Sequence, residues 1–363
     1  MELVLYFFVV IVCIFMMRKS SSTFDIASNF LTRNLGEGVK GPTVNAIASS
    51  LPELMISTMF LFYFKDIEGF AAGFATIIGS SAFNIAVIPF VSFLSIYFID
   101  QKIKFELNKA IVMQDAFFLL ASILIMLFAM MVGVNIYLAI TLIIFYFLYM
   151  FFLIKKRTKM VVNEKSDEVI NNYKKRSFIF SFYNLNFFDL FFDGKISRVS
   201  SLFVFFSSVL IIGVSCFFLV LATEKISHIF NVNLFFGAFF VAAIASSIPD
   251  TILSMQDAKN KRFADSFSNA YGSNVFDICI GIGLPVFFYS LIYGPVNINV
   301  PIERVGFVGD YFLDGNIIIW SLIILFIFTL IVSCIYYTER LKLSSVIKVL
   351  CLYLIFILTL ILF

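Results

Sequence analysis

The sequence predicts an all-α polytopic membrane protein of about ten transmembrane helices, arranged as two inverted five-helix repeats. Three observations carry that prediction. Of 363 residues, 61% are hydrophobic and 13% charged, with a mean hydropathy of +1.01; a globular domain needs roughly twice that charge to coat a water-facing surface. The basic residues fall almost entirely on one side of the spans that hydropathy defines. Two short polar motifs recur, in the same order, in the two halves of the chain.

A membrane helix needs about 20 mostly apolar residues. Spans are expected at roughly 1–17, 38–64, 69–99, 110–131, 134–154, 199–223, 232–255, 265–293, 315–337 and 345–363. The first lacks a basic leader and a small-residue cleavage site, so it reads as a retained span. Behind it, Phe24, Ile26, Ala27, Phe30 and Leu31 suit a short helix at the interface or an extension of span one. The interval Lys155 to Arg198 holds twice as many Lys/Arg as Asp/Glu. With that loop in the cytoplasm, all but Lys65, Lys225 and Arg304 of the 26 basic residues lie inside, and both termini lie outside. The chain thus divides into a first repeat, 1–154, a cytoplasmic basic linker, 155–198, and a second repeat, 199–363. The linker reads as a solvated segment near anionic headgroups. The net charge of +3 gives no sign of a nucleic-acid partner, and the five cysteines all sit in apolar runs, so no disulfide framework is expected.

The repeat is internal and inverted. Ala48-Ser49-Ser50-Leu51-Pro52-Glu53 with Ser57 recurs as Ala245-Ser246-Ser247-Ile248-Pro249-Asp250 with Ser254. Gly79-Ser80-Ser81-Ala82-Phe83-Asn84 recurs as Gly272-Ser273-Asn274-Val275-Phe276-Asp277. Equivalent elements are separated by five spans, an odd number, so the halves face opposite ways about an axis in the membrane plane. The Ser57–Asn84 interval is four residues longer than Ser254–Asp277, and the excess is expected at the Lys65–Gly69 turn.

Glu53, Asp250 and Asp277 fall well inside spans, where an unpartnered carboxylate is costly, and no Lys or Arg lies at comparable depth. A cation from solution is the natural compensation. Ser50, Glu53 and Ser57 share a helix face, as do Ser247, Asp250 and Ser254; Ser80 with Asn84 and Ser273 with Asp277 are i,i+4 pairs. Pro52 and Pro249 each lack an N–H and clash with the carbonyl four residues back, so a bend or unwinding is expected near Ala48 and Ala245, freeing carbonyls in 46–49 and 243–246. Carboxylate, hydroxyl, amide and carbonyl oxygen together form a hard site of the kind calcium or sodium accepts. The single histidine, His228, lies in an outer loop, which argues against a zinc, copper or iron centre, and no cofactor is expected. Ser57 and Ser254 divide evenly between packing and ligand roles. Gly79 and Gly272 suit close helix contact, Gln114, Asp115 and Asp265 suit helix-end anchors, and the 50 phenylalanines suit lipid-facing bulk.

The two segments resemble the alpha repeats of the cation/calcium exchanger superfamily, with its Thr/Ser-Ser-x-Pro-Glu/Asp turn and Gly-Ser-x-x-Phe-Asn/Asp stretch in each half. Thr76-Ile77-Ile78-Gly79-Ser80, Ser247-Ile248-Pro249-Asp250, Gly272–Ile278 and Gly283-Leu284-Pro285 look most like the potassium-dependent sodium/calcium exchangers. The resemblance covers about 38–92 and 232–286. It implies a secondary antiporter of the cell membrane, plasma or bacterial inner, that is not an enzyme. Sodium would be exchanged for calcium by alternating access, with potassium as a further candidate ion. By motif position, Glu53 and Asp250 would be the calcium carboxylates; Ser49, Ser50, Ser246 and Ser247 would add oxygen, with backbone help at Ala46 and Ala243; and Ser80, Asn84, Ser273 and Asp277 would complete the sodium sites, Asp277 being the position associated with potassium. Many relatives carry threonine where Ser49 and Ser246 stand. The Gly-Asn-x-x-Glu turn of the proton/calcium branch is absent, so proton/calcium or other cation antiport is the alternative reading. A cation channel or an intramembrane aspartyl protease fits less well: neither needs carboxylates in an inverted pair of motifs.

Overall fold

A computed structural model of the chain describes residues 2–31, 46–98, 109–157, 177–259, 263–296, 317–339 and 341–362. Its elements are α1 (Glu2–Leu31), the short α2 (Ala46–Ser49), α3 (Leu51–Phe64), α4 (Asp66–Tyr97), α5 (Lys109–Val132) and α6 (Ile136–Arg157). Then come two short helices, α7 (Phe178–Tyr183) and α8 (Phe187–Phe192), and α9 (Arg198–Phe230). α10 comprises Leu234–Gly237, a π turn at Ala238–Ala242 and Ala243–Lys259. α11 comprises Phe263–Phe276, a π turn at Asp277–Ile282 and Gly283–Tyr293. α12 (Ile317–Thr338) and α13 (Leu343–Leu362) complete the fold. Helices dominate because backbone N–H and C=O groups in hydrocarbon must be satisfied within their own segment.

Among the described residues nine helices are long and apolar enough to cross a membrane. The expected second span is represented by α2 and the 14-residue α3, broken at Ser50; its expected start, 38–45, lies outside the described residues, as do Arg33, Lys40, Lys102, Lys104, linker residues 158–176, Lys261, Arg262, Arg304 and Arg340. α4 is the hub, packing against α3, α10, α11, α12 and α13, and 72% of its most apolar window is buried, against 22% for α1. α1 lies along α9 at the periphery. Equivalent elements of the two repeats, α3–α4 and α10–α11, therefore cross at the centre, with the remaining helices wrapped around them.

Several local devices shape this arrangement. Lys65, at φ 59°, is the single residue between α3 and α4. The excess length of the first repeat resides in both arms of this hairpin, since α3 continues from Ser57 to Phe64 whereas α10 runs from Ser254 only to Lys259. Asn135 caps α6 by accepting from the N–H groups of Tyr137 and Leu138 (3.0 and 3.2 Å). Ser197 and Ser200 form a reciprocal capping box at α9.

Residues 22–31 prolong α1, the second of the two arrangements that the sequence allowed. Three sequence expectations are corrected. The linker is not wholly solvated: Phe188 is buried with Ala27 and Val204, Ser181 donates to Asp189 (2.9 Å), and Lys19 donates to Asn184. The apolar residues of α7 and α8 thus seat them against α1 and α9. Phenylalanine is not confined to the lipid face, because Phe60, Phe74, Phe235, Phe239, Phe267 and Phe276 are buried between helices. Finally, Pro249 does not unwind α10, which continues as helix through it; a π turn lies two to three turns upstream, at Ala238–Ala242. Pro52 does coincide with an interruption, at Ser50 (φ −89°, ψ 5°).

Candidate cation site

Ser50 and Glu53 come from the α2–α3 break and the first turn of α3, Ser80 and Asn84 from α4, Ser246, Ser247 and Asp250 from α10, and Ser273 and Asp277 from α11. All nine are fully buried, and Ser49 is nearly so. The four central helices thus deliver the two repeated motifs to one place.

Within it, Ser80 Oγ donates to Glu53 Oε1 (3.3 Å) and Ser247 Oγ donates to Ser80 Oγ (3.0 Å), which ties α3, α4 and α10 together. Asn84 Nδ2 lies 3.0–3.4 Å from Asn274 Oδ1, Asp250 Oδ2, Ser273 Oγ and Ser80 Oγ. A primary amide has two protons, so four acceptors compete for two donors. Asn274 settles part of this competition: its own Nδ2 donates to the Ser81 carbonyl (2.9 Å). Asn274 and Ser81 occupy equivalent positions of the two motifs, so this bond marks where the pseudo-two-fold axis passes.

The acceptors outnumber the donors. Glu53 Oε2, Asp250 Oδ1, both carboxylate oxygens of Asp277, Asn84 Oδ1 and the Ser50 hydroxyl are buried without a hydrogen-bond partner. Ser50 and Ser80 face Asp277 but do not reach hydrogen-bond geometry with it. Glu53 and Asp250 are close enough to repel one another. No Lys or Arg nitrogen among the described residues lies within 4 Å of these carboxylates, so none of the described residues answers their charge. Buried polar groups are ordinarily satisfied, and orphaned ones need an explanation. Several orphaned oxygens together, in a polar pocket that contains no cationic side chain, fit a hard metal cation. The carboxylates do not crowd one point: no group of three Asp, Glu, His or Cys residues forms a ready-made metal centre among the described residues. Hydroxyls and an amide separate them, so an ion here would take mixed ligands.

The remaining expected residues divide. The Ala243 carbonyl already accepts from Ser246 Oγ (3.1 Å), and Ala46 begins α2, its side chain lying outside the described residues. Ser57 and Ser254 serve packing: Ser57 donates to the Gly281 carbonyl in the π turn of α11 (2.6 Å), and Ser254 accepts from Asn269 (3.0 Å). Gly79 is a true close-contact glycine, since a Cβ there would meet Ala243 Cβ at 2.7 Å, whereas one at Gly272 would meet only the Tyr149 hydroxyl at 3.3 Å. Asp115 is not a helix-end anchor; it is fully buried and accepts from Ser268 of α11 (2.6 Å) and Tyr149 of α6 (3.4 Å). Gln114 is half-buried beside it, and the side chain of Asp265 lies outside the described residues. His228 ends α9, exposed, 3.7 Å from Glu224. A cleft lined by Arg18, Asp25, Ser49, Pro249 and Gln256 lies between α1 and α10, with Ser49 and Pro249 of the two repeated motifs on its wall.

Sequence reasoning passed over Asn274 and Asn269, which organise the site without belonging to the repeated acidic pattern. The signal for Asn274 was present as a mismatch, Ser81 against Asn274, directly after the matching Gly-Ser pair of the repeat.

Two crossed helical hairpins that carry buried carboxylates on an inverted repeat, within a membrane-spanning bundle, define an inverted-repeat membrane transporter. The sequence matches the family described as sodium/calcium exchanger protein over residues 3–155 and 200–362, nearly its whole length, and the chain belongs to that family of cation/calcium exchangers. It is 45% identical over 65 residues to Sodium/potassium/calcium exchanger Nckx30C of Drosophila melanogaster and 28% identical over 138 residues to Sodium/potassium/calcium exchanger 1 of Homo sapiens. These matches cover 17% and 38% of this chain but only 7% and 12% of those relatives. Its fold is similar to that of the H+/Ca2+ exchanger CAX (TM-score 0.67, 16% identity, 99% of this chain and 80% of that one). It is also similar to the sodium-calcium exchanger NCX_Mj soaked with sodium and strontium (TM-score 0.58, 18% identity, 98% and 99%).

Proposed function

We propose that this protein exchanges sodium for calcium across the cell membrane by alternating access, with Glu53 and Asp250 as the calcium carboxylates. The supporting observation is the set of orphaned oxygens from α3, α4, α10 and α11, with no cationic side chain among the described residues to answer them. Ser49, Ser50, Ser246 and Ser247, with the Ala46 and Ala243 carbonyls, complete the calcium shell; Ser80, Asn84, Ser273 and Asp277 hold sodium, and Asp277 is the position for potassium if a third ion takes part. Three bare carboxylates in a low-dielectric centre repel each other and lack solvent, so loaded states cross the membrane at lower cost than the empty one. Calcium or several sodium ions can supply the load, and that alternation is exchange. The cleft past Arg18 and Gln256 is the access route on the face that the basic residues assign to the cytoplasm. The names of the two curated relatives support sodium, potassium and calcium as the ions.

The test is calcium uptake into sodium-loaded proteoliposomes diluted into sodium-free buffer, with and without external potassium and with a proton ionophore. Uptake that requires the sodium gradient is the expected result. Uptake driven by a pH gradient and indifferent to sodium would replace this reading with proton/calcium exchange, and flux that neither saturates nor needs a counter-ion would indicate a channel.

A further inference from the structure

Span five lies outside both repeated motifs, yet α6 packs directly on the π turn that begins at Asp277. Its Tyr146 is 4% exposed and stacks edge-on against Phe276, the residue before Asp277, with centroids 5.5 Å apart. The Tyr146 hydroxyl is buried without a hydrogen-bond partner, and so are both oxygens of Asp277, which lies within electrostatic reach of it. A phenol and a carboxylate are natural partners. Both stay unsatisfied on the shared α6–α11 contact, as does the Ser50 hydroxyl that faces Asp277 from the α2–α3 break. Asp277 also feels the charges of Glu53 and Asp250, so the hydroxyls of Tyr146 and Ser50 add neutral oxygen ligands of a kind an alkali cation accepts without adding charge.

On the reading under Proposed function, we propose that Tyr146 Oη is a ligand of a monovalent cation held by Asp277 and Ser50, making Tyr146 a specificity-determining residue contributed from outside the repeats.

The opposite half supplies a matched control. Tyr353 of α13 sits beside Phe83, the residue before Asn84, with centroids 6.4 Å apart in an edge-on pair. Spans five and ten thus place a tyrosine against the same motif position, but Asn84 is uncharged and its amide nitrogen is already engaged with Asn274, Ser273 and Asp250, whereas Asp277 is a carboxylate with neither oxygen partnered.

Tyr146→Phe keeps the ring and removes only the oxygen. In purified full-length protein in detergent, thermal stabilisation is read against sodium, potassium and calcium concentration, which reports binding without requiring transport. The expected result is a rise of about tenfold in the half-saturating concentration of sodium or potassium, the usual scale for loss of one supporting group at a metal site. Calcium should shift by less than about twofold, Tyr353→Phe should match the parent, and Tyr146→Phe should add nothing in an Asp277→Asn background. Unchanged monovalent binding in Tyr146→Phe, equal shifts in the two tyrosine variants, or additivity with Asp277→Asn would overturn the proposal. Because binding is read apart from flux, failure of sodium-driven calcium uptake would count against the exchange reading alone.

Discussion

Gly79 and Gly272 occupy the same position of the two repeats, so a sequence argument expects the same response from each when a methyl group is added. The structure separates them. A Cβ at Gly79 would lie 2.7 Å from Ala243 Cβ and 2.8 Å from the Phe239 carbonyl oxygen, both fixed to α10, where carbon atoms need about 3.5–4.0 Å. α4 and α10 would have to separate by roughly 1 Å, an overpacking strain on the order of 1–3 kcal/mol. That displacement passes straight to Ser80, the next residue, whose bonds to Glu53 (3.3 Å) and Ser247 (3.0 Å) join the helices at the site. Metal ligands tolerate only about 0.2 Å, so calcium affinity should fall by at least about tenfold. At Gly272 the nearest neighbour is the Tyr149 hydroxyl at 3.3 Å, held by a long bond to Asp115 (3.4 Å) and needing to shift no more than a few tenths of an ångström, and replacing glycine by alanine inside a helix recovers up to about 1 kcal/mol of backbone entropy. The assay is a detergent melting curve with and without calcium, paired with proteoliposome uptake, on Gly79→Ala and Gly272→Ala. Gly79→Ala should melt lower and lose most of its calcium-dependent stabilisation; Gly272→Ala should remain near the parent in both. Equal effects, or a milder effect at Gly79, would refute the claim that α4–α10 contact sets the geometry of the cluster.

Glu53→Gln or Asp250→Asn should abolish calcium uptake while the protein stays monodisperse. Each amide removes a buried charge that has no basic partner, so the ion-free variant should melt higher than the ion-free parent, and a lower melting point would contradict the unanswered-charge account. Asp115→Asn retains shape but weakens the bond from Ser268 at 2.6 Å, with an expected stability loss of about 1–3 kcal/mol, read as a lower melting point; because Asp115 lies outside the cluster, the calcium-induced shift should persist.

The division between what the sequence disclosed and what it hid follows from how each feature is encoded. Spans are written in runs of apolar residues, because lipid imposes one requirement on every turn of helix. The inversion is written in the odd number of spans between matching motifs. Glu53, Asp250 and Asp277 stand out because a carboxylate in such a run is so costly. Other features depend on which helices touch. Asp115 looks like an end anchor until α11 brings Ser268 against it, and α10 runs unbroken through Pro249 while its π turn falls at Ala238–Ala242, which no local propensity announces. Phe188 reads as part of a polar loop until Ala27 and Val204 cover it. Asn274 is the most instructive case. It breaks the repeat, and a search for symmetry discounts it for that reason. Yet on a pseudo-two-fold axis equivalent residues meet each other, and two identical side chains cannot always satisfy each other there. An asparagine facing a backbone carbonyl can, and Asn274 does so with Ser81 while it also turns the Asn84 amide. Departures from the repeat close to its axis are therefore where two similar halves become one site with different roles for Asn84 and Asp277.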